Sequence, residues 1–89
     1  MSKLVFEENA FEDLCDWSIY DKQIFLKIHD LLKACLRDPF KGIGKPEPLK
    51  GKLKGWWSRR IDDKHRLVYR VLADGVIEII SCKGHYRDK

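Results

Sequence analysis

The chain has 89 residues, a net charge of +4, and 44% hydrophobic and 36% charged residues. Compact domains mostly contain about 50 to 200 residues, so we assign residues 1–89 to a single domain with a modest core, and the composition excludes a disordered chain. No apolar run approaches the ~18 residues of a membrane span and no secretory leader is recognisable, which predicts a cytoplasmic protein without a membrane partner.

Positive charge is concentrated in the middle of the chain. Residues 1–40 have a net charge of −3, residues 41–70 a net charge of +7, and residues 71–89 are balanced. Such a concentration indicates a polyanionic partner, with nucleic acid ahead of a membrane surface. The alternative is a solvated surface that only keeps the protein soluble.

The three cysteines have no paired spacing. Cys15, Cys35 and Cys82 lie among apolar neighbours, which predicts buried free thiols rather than a disulfide framework or a zinc site. The sequence contains no phosphate-binding glycine loop, dinucleotide-binding glycine pattern or zinc-protease motif. We therefore predict neither a metal nor a cofactor.

The first half of the chain predicts one strand and two helices. Residues 3–7 are short and β-prone, Asn9 and Glu12 suggest a capping box for a first helix, and Asp21 suggests the N-cap of a second. Asp38 precedes a proline, which ends that second helix. Its apolar positions recur at steps of one, three and four residues, as on one face of a helix: Ile24, Phe25, Ile28, Leu31, Leu32 and Cys35.

The second half predicts a sheet. Residues 41–55 are rich in Gly, Pro and Lys and form a loop or a weak strand, and from Trp56 to Val71 the apolar period changes to two. Asp74-Gly75 predicts a hairpin turn, and residues 76–82 are apolar enough for a central strand. The fold class is α+β: a strand, two helices, then three to four antiparallel strands, with both helices on one face and Arg60 and Arg66 exposed on the other.

Several residues match the needs of RNA cleavage without a metal. A base must activate the ribose 2′-hydroxyl, a cation must stabilise the phosphoryl oxygens, and an acid must protonate the leaving 5′-oxygen. Glu47 is a candidate base, His85 a candidate acid, and the candidate cations are Lys50, Arg60 and Arg66. The alternatives are an ordinary loop carboxylate at position 47 and a frayed terminus around His85.

The segments KGIGKPEPLKGKLKGWWSRRIDDKHRLVYRV and CKGHY resemble the YoeB toxins of bacterial toxin–antitoxin modules, within the wider RelE-like group. The resemblance spans nearly the whole chain, and the combination of GKPEPLK, WSRRI, HRLVY and HY is more specific than any single piece. It implies a fold related to microbial ribonucleases. The implied activity is that of a ribosome-dependent endoribonuclease that cuts messenger RNA in the aminoacyl site.

The resemblance also implies the role of each site residue. Glu47 would be the general base, His85 the general acid, Arg66 the stabiliser of the transition state and Tyr86 the residue that orients the scissile nucleotide. Four further residues are expected to bind RNA phosphate: Lys50, Lys54, Arg60 and His65. Two departures from the family pattern are the extra tail of residues 87–89 and Lys64, where the family commonly has an acid.

The partners that the resemblance implies are the ribosome with its mRNA and a YefM-like antitoxin with an acidic, partly disordered tail. A homodimer is also expected, and operator DNA only through the antitoxin complex, because no helix here is basic enough to be a recognition helix. A different class remains open, namely a non-catalytic basic module that binds ribosomal RNA and blocks translation by occupancy.

Overall fold

The computed structural model describes residues 2–85 of the chain and contains a five-stranded sheet with two helices packed on one face. The elements in chain order are β1 (Lys3–Phe6), α1 (Glu8–Tyr20), α2 (Lys22–Arg37), β2 (Glu47–Pro48), β3 (Trp57–Arg60), β4 (Arg66–Val71) and β5 (Val76–Ser81). The predicted α+β class is confirmed, with four strands after the helices. No helix within the described residues is both long and apolar enough to cross a bilayer.

The sheet is mixed, with strand order β1-β5-β4-β3-β2. Strands β2 to β5 pair antiparallel, as predicted, but β1 lies parallel to β5, and Leu4 is opposite Ile77. A parallel neighbour needs a long connection rather than a hairpin. The helices and the antiparallel strands supply that connection, and β5 becomes an interior strand between β1 and β4.

The helix boundaries confirm one predicted cap and contradict the other. The Asp21 carboxylate accepts a hydrogen bond from the Ile24 backbone N–H at 3.2 Å, and α2 ends at Arg37, just before Asp38 and its proline. The capping box at Asn9 was wrong, because α1 already begins at Glu8. The Asn9 amide instead donates to the Ile80 carbonyl oxygen at 3.1 Å and ties α1 to the end of β5.

The core lies between the helices and the inner face of the sheet. The predicted apolar stripe of α2 supplies much of it, and side chains on alternating positions of β4 and β5 supply the rest. Burying one such aliphatic side chain contributes about 1.5–3 kcal/mol. The most buried apolar members are Ala10, Ile28, Leu31, Cys35, Leu67, Tyr69, Ile79 and Cys82.

The cysteines are free, but only two of them are buried. Cys35 and Cys82 lie in the core, as predicted, and burial raises the pKa of the Cys82 thiol to about 12. Cys15 is exposed, contrary to prediction. Its apolar neighbours in sequence indicate a core position, but Cys15 lies on the solvent-exposed side of α1, away from the sheet.

The predicted hairpin turn at Asp74-Gly75 is confirmed. Both residues have positive φ values, 62° for Asp74 and 75° for Gly75. The Leu72 N–H donates to the Val76 carbonyl oxygen at 2.7 Å and closes the turn. Asp and Gly tolerate this conformation, which matches the twist of the flanking strands.

Candidate active site on the outer face of the sheet

The strand register places three of the predicted site residues on the sheet face opposite the helices. Glu47 on β2 lies opposite Ser58 on β3, and Arg60 on β3 lies opposite Arg66 on β4. Directly opposed residues point to the same side of a sheet, and so do residues two apart along a strand. Glu47, Arg60 and Arg66 therefore share one face.

The spacing within this face suits a ligand between the carboxylate and the arginines. Glu47 and Arg66 are separated by two strand steps and two residues along β3. With about 4.8 Å between strands and about 3.4 Å per residue, their Cα atoms lie roughly 12 Å apart. Over this distance both side chains are long enough to reach a common ligand.

Arg66 is more enclosed than predicted. Only 7% of its surface is exposed, whereas Arg60 is exposed, so of the two arginines expected to face solvent or a ligand only Arg60 faces solvent. The Arg66 Nη1 group donates to the Asp62 carbonyl oxygen at 2.6 Å and to the His65 carbonyl oxygen at 3.1 Å. A guanidinium has five N–H groups, and these two hydrogen bonds both come from Nη1.

A short turn, residues 62–65, leads into Arg66 and is held by hydrogen bonds. The Asp62 carboxylate accepts hydrogen bonds from the backbone N–H groups of Lys64 at 2.8 Å and His65 at 2.7 Å. Burial acts to raise the pKa of Asp62, but these two hydrogen bonds, with the nearby charges of His65 and Arg66, lower it. The carboxylate form therefore stabilises the turn that connects β3 to β4.

The segment before His85 is held against this turn. The Trp17 indole N–H donates to the Cys82 carbonyl oxygen at 2.9 Å, and the Arg66 backbone N–H donates to the Gly84 carbonyl oxygen at 3.0 Å. His85 is exposed and is the next residue. Its predicted place beside Arg66 is thus supported by the backbone, while Tyr86 and the tail of residues 87–89 lie outside the described residues.

The remaining predicted phosphate ligands differ in exposure. Lys50 and Lys54 flank a 3₁₀ turn, Gly51–Leu53, and are exposed, as is Glu47. His65 is only half-buried, and its Nδ1 atom accepts a hydrogen bond from the Gly84 N–H at 2.8 Å. The lysines are therefore available to a polyanion, whereas one His65 nitrogen already has a partner in the protein.

Arg59 is a structurally important residue that was not predicted from the sequence. It is completely buried, and its guanidinium donates to the backbone carbonyl oxygens of Ile43 at 2.8 Å, Asp38 at 2.7 Å and Lys41 at 2.8 Å. These bonds satisfy a cation that would otherwise be costly to bury. Arg59 thereby holds the loop that leads into β2 and Glu47.

A signal for Arg59 was present in the sequence. It occupies the middle of the alternating set Trp57, Arg59 and Ile61, and this set faces the core. The Arg59 Nε also donates to the Tyr69 hydroxyl at 3.1 Å, and that hydroxyl donates to the Pro39 carbonyl oxygen at 2.6 Å. An arginine in step with inward-facing residues indicates a buried tether rather than a ligand contact.

The adjacent tryptophans lie on opposite faces, so one of them is on the core side, as predicted. Trp57 packs against the core, and its ring lies 4.8 Å from that of Phe40. Trp56 lies on the outer face under Arg70, whose guanidinium carbon is 4.4 Å from the ring centroid. The Arg70 Nε also donates to Glu78 at 2.7 Å. Trp56, Arg70 and Glu78 thus lie beside the part of the outer face that carries Glu47.

The described part of this face contains no cluster of possible metal ligands. Within residues 2–85, no three His, Cys, Asp or Glu side chains lie together as possible metal ligands. A cavity of about 470 Å³ lies elsewhere, between the end of α2 and the loop around Gly42. On the outer face Ser58, Val68 and Arg66 are buried. The exposed cations at its edge are Lys50, Lys54 and Arg60, and they suit a polyanion.

The family model for the YoeB-like toxin of bacterial type II toxin–antitoxin systems matches residues 6–86. A curated relative, the toxin YoeB of Synechocystis sp., is 51% identical over 85 residues, which are 96% of this chain and 98% of that protein. The match thus extends over nearly the full length of both chains and includes the segments that carry the site.

Two solved structures from Staphylococcus aureus have the same fold. One is a heterotetrameric YoeB–YefM toxin–antitoxin complex, 47% identical, covering 97% of this chain and 99% of that chain with a TM-score of 0.87. The other is a YoeB dimer, 46% identical, covering 96% and 98% with a TM-score of 0.86. Sequence and fold agree, and the chain belongs to the YoeB-like toxins of bacterial type II toxin–antitoxin systems.

Proposed function

We propose that this toxin is an endoribonuclease that enters the aminoacyl site of the ribosome, cleaves messenger RNA and so halts translation. The observation that carries the proposal is the register that brings Glu47, Arg60 and Arg66 to one cationic face, next to the segment that ends in His85. A protein that acts on ribosomes works in the cytoplasm, which is the expected location.

The chemistry proposed for this face is general acid–base catalysis. Glu47 takes the proton from the ribose 2′-hydroxyl, which attacks the adjacent phosphate, and His85 protonates the departing 5′-oxygen. Arg66 stabilises the negative charge that develops on the phosphoryl oxygens, and its enclosed position supports this role because a partly desolvated cation acts more strongly. These groups need no metal for the reaction.

RNA binding is assigned to the exposed cations around this site. Lys50, Lys54 and Arg60 lie at the surface and contact phosphates on either side of the scissile link. Tyr86 is assigned to the scissile nucleotide, which it orients by stacking. Phosphate contacts of this kind position an RNA without reading its sequence.

The partner proposed for the free toxin is a YefM-like antitoxin, as in the Staphylococcus aureus complex. An acidic antitoxin segment and RNA would compete for the same cationic face, and this competition explains inhibition. A homodimer is proposed by analogy with the YoeB dimer. Contact with operator DNA is expected only through the antitoxin.

The competing function is that of a non-catalytic module that binds ribosomal RNA and blocks translation by occupancy. The same positive face supports this reading, because electrostatic attraction alone gives RNA affinity. It assigns no chemistry to Glu47 or His85. The two functions therefore differ in what happens when those side chains lose their proton-transfer groups.

Primer extension on a translated message with purified ribosomes tests the proposal. The wild-type toxin should produce cuts within the codon in the aminoacyl site. The substitutions Glu47→Gln and His85→Ala should each lower the cleavage rate by about 10²–10⁴-fold, as expected for loss of a general base or acid. Ribosome binding, measured by co-sedimentation, should persist.

His29→Gln is the matched control, because His29 is exposed on α2, which packs on the opposite face of the sheet. It should cleave at the wild-type rate. Translation arrest that survives the combined Glu47→Gln and His85→Ala change would overturn the endoribonuclease and favour the occupancy module.

A further inference from the structure

We propose that His65 is a positioning residue that holds the Gly84 peptide and so sets the place of His85 relative to Arg66. This inference rests on the proposed function, because it gives His85 a catalytic task. It replaces the expected contact of His65 with RNA phosphate by a role inside the protein. The evidence is a set of hydrogen bonds that converge on the residues just before His85.

The Gly84 peptide is held from both sides. Its N–H donates to the His65 Nδ1 at 2.8 Å, and its carbonyl oxygen accepts from the Arg66 backbone N–H at 3.0 Å. Both partners belong to the start of β4, where Arg66 also presents its guanidinium. His65 and Arg66 thus both bind the residue that precedes the general acid, His85, and Arg66 is also the phosphate-stabilising cation.

The His65 ring is itself fixed. It packs edge-on against Trp17, with 4.8 Å between the ring centroids, and Trp17 donates its indole N–H to the Cys82 carbonyl oxygen at 2.9 Å. The His65 backbone N–H donates to the Asp62 carboxylate at 2.7 Å. Trp17 and His65 therefore form one bracket around the segment of residues 82–84.

The bracket restrains a residue whose own backbone is intrinsically flexible. Its φ is +78°, and a Cβ added there would meet nothing within 4 Å, so the side of Gly84 on which a Cβ would lie is open. Glycine has the largest conformational freedom of any residue. Loss of the His65 acceptor would remove one of the two hydrogen bonds described for Gly84 and should let His85 shift relative to Arg66. Misplacement of a catalytic group by about 1 Å costs roughly 10²-fold in rate.

Three substitutions at position 65 separate this role from phosphate binding. In His65→Asn the side-chain oxygen takes the place of Nδ1 and keeps the acceptor. In His65→Gln the amide reaches the place of Nε2, and His65→Leu has no acceptor but keeps the volume against Trp17. His29→Asn and His29→Leu are matched controls at an exposed site.

The first measurement is single-turnover cleavage on programmed ribosomes at increasing toxin concentration. We expect His65→Asn to stay near the wild-type maximal rate. His65→Gln and His65→Leu should lose about 10–100-fold in maximal rate, with little change in the toxin concentration at half-saturation. A loss confined to half-saturation, or an equal loss in all three variants, would overturn the proposal.

The second measurement, amide hydrogen exchange by NMR, does not depend on activity. The Gly84 N–H should exchange slowly in the wild type and His65→Asn and quickly in His65→Gln and His65→Leu. Equal exchange in all four proteins would overturn the proposal. Far-UV circular dichroism checks folding, and if His65→Leu does not fold, the Asn and Gln pair carries the comparison.

The two measurements also distinguish failure of this proposal from failure of the proposed function. If the wild type does not cleave RNA on ribosomes, the endoribonuclease assignment fails, and the anchoring of Gly84 then stands or falls on the exchange series. If the wild type cleaves and the exchange series shows no dependence on the acceptor, the function stands and the role of His65 is wrong.

Discussion

At the scale of single residues, the buried pair of Arg59 and Tyr69 is the least expected feature. The Tyr69 hydroxyl accepts from Arg59 and donates to the Pro39 carbonyl oxygen, so both of its hydrogen-bonding functions are used. Burial raises the pKa of Tyr69 to about 12, although the hydrogen bond and the charge of Arg59 act in the opposite direction. The hydroxyl is thus neutral in the folded protein below about pH 12.

This raised pKa predicts a loss of stability at alkaline pH. Between pH ~10 and ~12 the unfolded chain has released the Tyr69 proton while the folded chain keeps it, so the Tyr69 contribution to the free energy of unfolding falls by about 1.4 kcal/mol per pH unit. The contribution is fully present below pH ~10. Urea unfolding at several pH values measures it.

Tyr69→Phe removes the titrating hydroxyl and should make this part of the curve less steep by the Tyr69 contribution, while the buried Cys82 thiol, whose pKa is also raised to about 12, keeps its own share of the slope. It should also lower stability at neutral pH by about 1–3 kcal/mol, because Arg59 and Pro39 each lose a hydrogen-bond partner. Tyr20→Phe is the control, since Tyr20 is 80% exposed. Parallel stability curves for Tyr69→Phe and the wild type would contradict the assignment.

At the scale of elements, the loop between α2 and β2 determines where Glu47 lies. Arg59 binds its carbonyl oxygens, and the Gly44 carbonyl oxygen accepts from the Arg60 N–H at 2.6 Å. Gly44 has a φ of +84°, and a Cβ there would lie 2.7 Å from the Leu31 side chain and 3.2 Å from the Arg60 carbonyl oxygen. The loop therefore packs against α2 and β3 at once.

Gly44→Ala should be clearly destabilising, whereas Gly55→Ala should cost less. Both glycines have positive φ, but a Cβ at Gly55 meets nothing within 4 Å. We expect about 1 kcal/mol from the backbone conformation in each variant, and roughly 2 kcal/mol more at Gly44 from the steric clash. Thermal unfolding of both variants measures the difference, and equal losses would show that the close approach at Gly44 contributes nothing.

At the scale of the whole molecule, charge and fold are arranged in layers. The acidic residues 1–40 form the helical layer and the first strand, and the basic residues 41–70 form the loop and strands that carry the outer face. A polyanion is therefore attracted to the side of the sheet that carries the candidate site. The same asymmetry disfavours contact through the helices.

Binding to ribosomes should weaken steeply with salt. If Lys50, Lys54, Arg60 and Arg66 each neutralise a phosphate of single-stranded RNA, the logarithm of the association constant should fall with a slope of about −3 against the logarithm of salt. This corresponds to roughly 50-fold weaker binding between about 50 and about 200 mM salt. Fluorescence titration of labelled toxin with ribosomes measures the slope.

Charge removal on the two faces provides the comparison. Lys50→Gln should reduce the magnitude of the slope by about 0.7. Lys33→Gln, at an exposed position of α2, should leave the slope unchanged. A slope that does not respond to Lys50→Gln would show that RNA contacts a different surface.

The sequence was most informative where the signal is local. The apolar period of α2, the Asp21 cap and the Asp74-Gly75 turn all act within a few residues, and each of these predictions is confirmed. The predicted capping box at Asn9 was wrong because the Asn9 side chain binds a partner from another element and does not cap α1. A pattern in sequence does not reveal that the Asn9 amide reaches the end of β5.

The sequence by itself determined the order of the elements, the separation of acidic and basic segments and, through its motifs, the family. Only the tertiary structure decided that Arg59 binds the carbonyl oxygens of the loop before β2, that β1 lies parallel to β5 and that His65 binds the Gly84 peptide. The reason is physical. Periodicity, caps and turns depend on neighbouring residues, whereas these three contacts join residues far apart in the chain and exist only once the sheet has formed.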